Sequence, residues 1–578
     1  MDRRQSLKGL CQAASCFFFP FRGLLSRSPA AGESPRDLPY YVDIAERAGL
    51  TAKTVIQGHE TKDFLLSTTG GGVALFDYDN DGWLDIFLVN GWGLREFSKG
   101  SEPSNHLYRN NRDGTFTAVT EKAGLVRHGW GQGVCVGDYN NDGNLDLFVT
   151  YYGQNVLYHN NGNGTFTDVT RESGLLQPDN YWNSGAAFLD YDRDGHLDLM
   201  VSHYVGYKYG LTLYDSNPSL VGEQSPVLYG VAGLEGTRNT LYRNNGDGTF
   251  TDVSQRAGIL RPDPAYGFTP LVADFDDDGW PDIYVADDST PSLLFRNNHD
   301  GTFSENGLLA GVAYDANGRA QAGMGADAGD YDGDGRLDIL KTNFSDETPS
   351  LYHNEGRGFF TDVSFQAGLA AANRSVKWGT VFFDFDNDGK PDILIVSGAI
   401  YPPGINSRHT MSEVEGRRLL FRNAGNGRFE DVSGHAGPGM LESHCGRGVA
   451  IGDVFHSGQL DVVINNINDR PSLLSNQSPS PNSWLLVKLI GTKTNRAAIG
   501  SRVIVEANNR LQVQEVRSGG SFCSQCDLRL HFGLGRSRQA EKLEVRWLSG
   551  GKEIFERVQA NKLLTIEEGK GIISQESF

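Results

Sequence analysis

The stretch DYDNDGWLD, Asp77 to Asp85, crowds four carboxylates into nine residues around one glycine and then runs into the apolar segment IFLVN. Carboxylates at this spacing repel one another, so the stretch calls for a cation. Aspartates at positions 1, 3, 5 and 9, a glycine at position 6 for a sharp turn and a backbone carbonyl at position 7 are hard oxygen ligands at calcium-like spacing. The glutamate that closes an EF-hand loop at position 12 is absent, and the flanking runs have strand length. Several carboxylates on one flexible loop suit calcium better than the smaller, more rigid shell of magnesium.

The pattern recurs as DYNNDGNLD (138–146), DYDRDGHLD (190–198), DFDDDGWPD (274–282), DYDGDGRLD (330–338) and DFDNDGKPD (384–392). The predicted ligands are Asp77, Asp79, Asp81 and Asp85; Asp138, Asn140, Asp142 and Asp146; Asp190, Asp192, Asp194 and Asp198; Asp274, Asp276, Asp278 and Asp282; Asp330, Asp332, Asp334 and Asp338; and Asp384, Asp386, Asp388 and Asp392. A seventh copy, DVFHSGQLD (453–461), keeps the outer aspartates and the glycine but carries Phe455 and Ser457 at positions 3 and 5. About six calcium ions are expected, acting as staples. At a hundredfold excess over its dissociation constant, each would add about 2.7 kcal/mol.

Every loop lies between two apolar runs of strand length. A second signature follows, as in LYRNNRDGTFTAVT (107–120) and LYHNNGNGTFTDVT (157–170), and reads as a second hairpin turning at Asn, Asp and Gly. Each unit thus holds four antiparallel strands, none able to bury both faces alone. Seven such units predict an all-β chain built as a seven-bladed β-propeller. The seventh unit stops after SLLSN (472–476), its third strand, while YYVDIAERAGL (40–50) matches the fourth strand of the other units, so the chain's beginning should complete the last blade.

These units resemble FG-GAP and VCBS repeats, the blades of integrin α-chain heads, which implies integrin-α-like calcium loops. AIGSRV, QEVRSGG, SQCDLRLHFGLG and LEVRWLSGG within 497–555 resemble the ASPIC/UnbV domain of the cartilage acidic protein-like family. Cys523 and Cys526 stand where relatives show other residues beside the SQ pair, so no redox role carries over. Alternating VIVEA, LQVQEV and KLEVRWL predict a small β-sandwich-like module. The expected organisation is an export signal and leader (1–38), the propeller (39–476), a linker (477–483) and the C-terminal domain (484–570).

The 578 residues are 38% apolar and carry a formal charge of −20. Removing the 23 loop aspartates from the 72 acidic residues leaves 49 against 52 basic ones, so the surplus acid is local and no nucleic-acid partner is indicated. MDRRQSLKGL resembles a twin-arginine export signal, and no later apolar run is long enough to span a membrane. A secreted or periplasmic monomer is expected. Cys135 and Cys445 read as buried thiols, and the single CxxC of Cys523 and Cys526 leaves a local disulfide open.

The leading functional reading is a calcium-stabilised binding or adhesion module for an extracellular protein or polysaccharide. The alternative is a polysaccharide-active or biosynthetic accessory enzyme, for which His59, Glu60, His409, His444 and Arg447 lie near strand entrances; no nucleophile, base and orienter set is recognisable, so no catalytic residue is assigned. His531 reads as a packing residue. Strand direction puts the calcium loops and Asn-Gly turns on one face and the long connections 203–238 and 400–418 on the other. Trp130, Trp182, Tyr266, Trp378 and Arg447, six or eight residues before the loops, then lie by the central channel as candidate ligand contacts.

Overall fold

Two runs of four-stranded sheets follow one another along the chain, seven in the first and two in the second. The structure, a computed structural model, describes residues 38–55, 69–91, 103–177, 181–206, 231, 234–261, 263–372, 375–400 and 416–578. The export leader with Cys11 and Cys16, His59, Glu60, His409, and Tyr207, Tyr209, Tyr214 and Tyr229 of the long connection lie outside these residues.

The innermost strands of blades one to seven are Val73–Phe76, Gly131–Gly137, Asn183–Leu189, Gly267–Ala273, Gly323–Gly329, Lys377–Phe383 and Gly446–Gly452. Every residue of these strands is buried except Ile451, because one face of each blade packs on the preceding blade and the other on the next. The strand Gly446–Gly452 abuts Val73–Phe76, so the last blade touches the first. Seven blades therefore form a closed β-propeller.

Closure is covalently staggered. Tyr41–Asp43 pairs antiparallel with Ser472–Asn476 in the register Tyr41↔Asn476, Val42↔Ser475 and Asp43↔Leu474. Blade seven thus takes its outer strand from the start of the described chain. The buried Asp43 carboxylate pins this strand: it accepts from the backbone of Ala45 (3.0 Å) and Leu473 (3.3 Å) and lies 3.1 Å from Arg470 and 3.6 Å from Arg418.

The C-terminal module has one sheet ordered Leu530–Gly535, Ser483–Ile490, Lys562–Glu567, Gly571–Glu576 and another ordered Arg510–Glu515, Arg502–Ala507, Gln539–Arg546, Lys552–Gln559. The sheets share an apolar core in the manner of a sandwich. That core does not stop at the module: Leu485, Phe532, Val503 and Trp547 belong to the same buried cluster as Cys135, Phe148, Phe188 and Leu199 of blades two and three.

From the module a loop, 517–527, descends into the central channel. The inner strands of blades two, five and seven carry register shifts, which release backbone groups from the ladder. The loop meets groups of this kind, with Val134 N donating to Cys523 O (3.1 Å) and Ala326 N to Ser521 O (2.7 Å), and it also takes Leu75 N of the regularly paired blade-one strand on Gln525 O (3.0 Å). Gly72 is required here, since a Cβ at that position would come 1.7 Å from Cys523 O. The module is the plug of the propeller.

Asp43→Ala should leave Arg418, itself only 2% exposed, without its carboxylate partner. The expected loss is about 3 kcal/mol, read by urea denaturation and accompanied by earlier proteolysis at the N-terminal strand; unchanged stability would remove Asp43 from the closing contact.

Candidate metal centres

In all seven loops the outer aspartates are engaged by backbone. The first carboxylate receives the N–H groups of positions 5 and 6, as Asp77 does from Asp81 and Gly82 (both 2.9 Å) and Asp453 from Ser457 and Gly458 (both 2.8 Å). The ninth receives position 2 and a third-strand asparagine N–H: Asp85 from Tyr78 (3.2 Å) and Asn110 (2.8 Å), Asp461 from Val454 (3.2 Å) and Asn476 (2.9 Å). Positions 1 and 9 therefore shape the turn and join strands two and three. Their retention in blade seven needs no metal.

The third-strand asparagine also joins the blades. Asn160 Nδ2 donates to Tyr78 O of the preceding loop, Asn244 to Tyr139 O (both 2.8 Å), and so round the ring to Asn476 and Phe385 O (2.9 Å); Asn110 completes the circle on Val454 O (3.2 Å). The sequence reading assigned this asparagine to the turn alone. Its presence in the seventh unit, where the inner ligands are lost, was the available signal that it builds the ring.

Position 5 caps its own turn, as Asp81 does by accepting from Trp83 N (3.0 Å), and position 3 behaves differently. Asp79, Asp192 and Asp276 each hold a buried Oδ1 with no hydrogen-bond partner among the described residues. Ligand oxygens of Asp77, Asp79 and Asp85 lie within 4.8 Å of one another, as do those of Asp190, Asp192 and Asp194 and of Asp274, Asp276 and Asp282; Asp332 and Asp338 converge likewise with His353. Oxygens bound to one calcium at about 2.3–2.6 Å must lie no farther apart than about 5 Å. These acidic clusters can hold metal ions. In blades two and six, Asp138 and Asp384 show the same turn geometry, with position 6 donating at 2.8 and 2.7 Å.

Burial, reinforced by neighbouring carboxylates, pushes Asp85 up to about 8 and Asp138, Asp190 and Asp330 up to about 7. Burial likewise raises Asp198, Asp282 and Asp392 well above the carboxylate range. Without a cation these loops therefore hold protons that the unfolded chain, titrating near about 4, has released. The stability so gained is complete below about pH 4 and is lost as the pH rises through about 6 to 8.

The module covers the loop face. Asn141, at position 4 of its loop in the left-handed conformation, accepts from Arg496 N (2.7 Å); Gly535 N donates to Asn387 O (2.8 Å); His531, held neutral by burial, reaches Gly458 O (3.1 Å) as a packing residue. Arg502 bridges Asp277 (2.7 Å) and Glu515 (3.1 Å) against the blade-four loop. In blade seven His456 stacks between Trp83 and Phe578, with centroids 3.8 and 4.1 Å away. That loop has become a packing surface.

The candidate ligand face needs correction. Trp130, Trp182, Trp378 and Arg447 are 4%, 0%, 1% and 0% exposed, and only Tyr266 is partly open. The tryptophans and Tyr266 gather about the plug tip, where Phe522 lies 5.0 Å from Trp378 and 5.4 Å from Phe268, while Arg447 stacks on Trp378 at 4.0 Å. They floor the plugged channel and offer no open ring to a partner. His444 lies apart, with Nδ1 2.9 Å from Asp469 and Nε2 3.4 Å from Glu442. Cys135, Cys445, Cys523 and Cys526 are free thiols, and burial raises those of Cys523 and Cys526, the latter to about 12. No helix among the described residues is long and apolar enough to cross a membrane.

Ring, loops and module together define an FG-GAP β-propeller with an appended β module, and comparison with known families agrees. The FG-GAP-like repeat matches residues 77–149, 138–201, 228–285 and 274–341, and the ASPIC and UnbV family matches 491–573. The chain carries FG-GAP-like repeats followed by a C-terminal ASPIC/UnbV domain. It is 23% identical over 513 residues to Cartilage acidic protein 1 of Xenopus tropicalis, covering 84% of this chain and 71% of that one. Against the Homo sapiens protein of the same name it is 24% identical over 522 residues, covering 86% and 71%. Among solved structures, a lectin from Burkholderia pseudomallei aligns at TM-score 0.40 and 10% identity over 72% of this chain and 97% of its own. The rhamnogalacturonan lyase YesW aligns at 0.36 and 13% over 76% of each. Likenesses this distant carry no argument about function.

In chelator the melting temperature should fall as pH is raised from 5 to 8, and saturating calcium should abolish most of that slope. A flat profile in chelator would show that the loop carboxylates are not the titrating groups.

Proposed function

We propose that the protein is a secreted calcium-binding propeller that serves as a binding or adhesion module for an extracellular protein or polysaccharide. One observation carries the calcium reading. Blade seven keeps the outer aspartates that build the ring and lacks the carboxylate at position 3, whose buried Oδ1 has no hydrogen-bond partner among the described residues in blades one, three and four, together with the one at position 5, so these two have a purpose other than building the ring. In six loops these positions, together with the outer aspartates, would hold calcium through carboxylate oxygens, and the ion would supply the charge that lets the buried acids stay ionised.

Support for a binding role is less direct. The calcium loops sit beneath the module, which suits them to a staple. The face opposite the loops, around the partly open Tyr266, is then the surface left for a partner, and most of the connections 203–238 and 400–418 that the sequence assigns to it lie outside the described residues. Millimolar extracellular calcium would keep such loops filled, in line with export through the twin-arginine-like leader. His444, held between two carboxylates on the last blade, favours the alternative of a polysaccharide-active or biosynthetic accessory enzyme with a site on that same face.

Asp79→Ala with Asp276→Ala should lower the melting temperature in calcium, by about 2–3 kcal/mol of stability per site at a hundredfold calcium excess, and change it little in chelator. A glycan and extracellular-protein array, run with and without calcium beside a hydrolase and lyase panel, should give calcium-dependent binding without turnover. Turnover without stoichiometric binding, abolished by His444→Ala, would put the enzyme reading first.

A further inference from the structure

Six loops face a basic side chain at one register of the third strand: Arg109, His159, Arg243, Arg296, His353 and Arg422. The equivalence is set by strand pairing, each residue following the one opposite the position after the ninth aspartate, as Tyr108 pairs with Ile86 and Phe421 with Ile393. In blade seven Leu474 pairs with Val462, which puts Ser475 at this register. The basic residue is thus lost in the one unit that also lost the carboxylates at positions 3 and 5. Asn476, one residue on, is kept because it staples blades. A residue required only for the strand or the ring would have been retained with it.

The four arginines make the same kind of contact, while His159 lies 3.3 Å from the ninth-position Asp146 and His353 lies between Asp332 (3.4 Å) and Asp338 (3.3 Å). Arg109 Nε lies 2.7 Å from Asp79 Oδ2, Arg243 Nε 2.7 Å from Asp192 Oδ2, and Arg296 and Arg422 place Nη2 at 2.5 and 3.0 Å from Oδ2 of Asp276 and Asp386. Each time the guanidinium takes the outer oxygen of the position-3 carboxylate. The inner oxygen, Oδ1 of Asp79 and Asp192, is the one left buried with no donor; in Asp276 both oxygens are buried without a hydrogen bond, and Oδ2 alone has the ion-pair contact. The same arginines reach on to position 5, at 3.2 Å to Asp81 and 2.7 Å to Asp194.

Resting on the calcium reading above, we propose that the arginine at this register of blades one, three, four and six is a positioning residue for the metal. It anchors Oδ2 so that Oδ1 alone meets the ion, fixing a monodentate ligand in place before binding. It also offsets part of the charge by which four carboxylates exceed one divalent ion. Groups that orient ligating carboxylates are typically worth about 10- to 100-fold in metal affinity. An opposite role is conceivable on the same distances, in which the arginine competes with the ion for the carboxylates, and the two roles differ in sign: removing a competitor tightens binding, whereas removing an anchor weakens it.

Trp83 and Trp280 stand at position 7 of the blade-one and blade-four loops and make the test local. Terbium, a calcium substitute excited through a nearby tryptophan, is titrated into the full chain carrying Trp280→Phe, with the Trp83→Phe/Trp280→Phe protein as background, so that the difference reports blade one. Arg109→Met should raise the terbium midpoint at least about tenfold, and Arg109→His, which copies blades two and five, should restore part of it. Melting in chelator should be unchanged by Arg109→Met, since its guanidinium is 43% exposed on the side chain and its pair is weak without the ion. An unchanged or lowered midpoint, or an equal loss of melting temperature with and without calcium, overturns the proposal. Absence of any Trp83-sensitised emission overturns the calcium reading itself, and the proposal with it.

Discussion

A carboxylate buried at the ninth position of every loop is the joint around which the ring is assembled. It accepts one backbone N–H from its own loop and one from the third strand, and the asparagine that supplies the latter reaches the preceding blade through its side chain. Hydrogen bonds to a charged acceptor are strong, about 1.5–3 kcal/mol each, and sevenfold repetition makes the circle. The arrangement has an electrostatic cost. A buried ion without a partner costs several kcal/mol, and in six blades the first, third and fifth positions add to it. On the calcium reading proposed above, the carboxylates at 3 and 5 would turn that liability into a cation site, and the third-strand arginine would share the compensation. Blade seven meets the same problem with two carboxylates in place of four; burial raises Asp453 to about 6, and the charge of Arg529 of the module is among the groups that oppose that rise.

The module follows from the same geometry. Seven loops on one face present left-handed position-4 residues, with Asn80, Asn141, Arg193, Asp277, Asn387 and His456 all at positive φ, and several of these are what the module grips. Its 517–527 loop uses backbone groups freed by the inner-strand bulges, and its apolar core runs into that of blades two and three. Order in the metal loops and seating of the module are therefore thermodynamically linked, each favouring the other. Propeller and ASPIC/UnbV domain form one folded body.

Much of this was legible in the residues. Seven DxDxDG-like units with a second Asn-Gly turn in each specify blade number and strand count, and the orphan segment at Tyr41 specifies where the ring closes. Spacing placed the loop carboxylates in clusters that could hold metal ions, but it did not separate their two classes, because it does not tell a carboxylate that caps backbone from one left without a donor. The partial decay of DVFHSGQLD held that distinction. The plug was missed for a related reason. Gly72, Gly133, Gly185, Gly325, Gly379 and Gly448 all stand five residues before a loop, which marks a close approach by another chain segment, yet nothing local says that at Gly72 and Gly325 the approaching backbone is that of Cys523 and Ser521, far along the chain. Trp130, Trp182 and Trp378 were placed correctly beside the channel and misread as open because the channel's occupant was unknown.

The account's central claim is that positions 3 and 5 hold calcium while positions 1 and 9 hold the ring. Native mass spectrometry of the full chain, desalted from millimolar calcium and compared with a chelated sample, tests it most directly. Six tightly retained calcium ions are predicted, with one lost for each Asp79→Ala, Asp192→Ala or Asp276→Ala substitution. Seven retained ions would contradict the division of labour read from blade seven, and none retained would contradict the metal sites altogether.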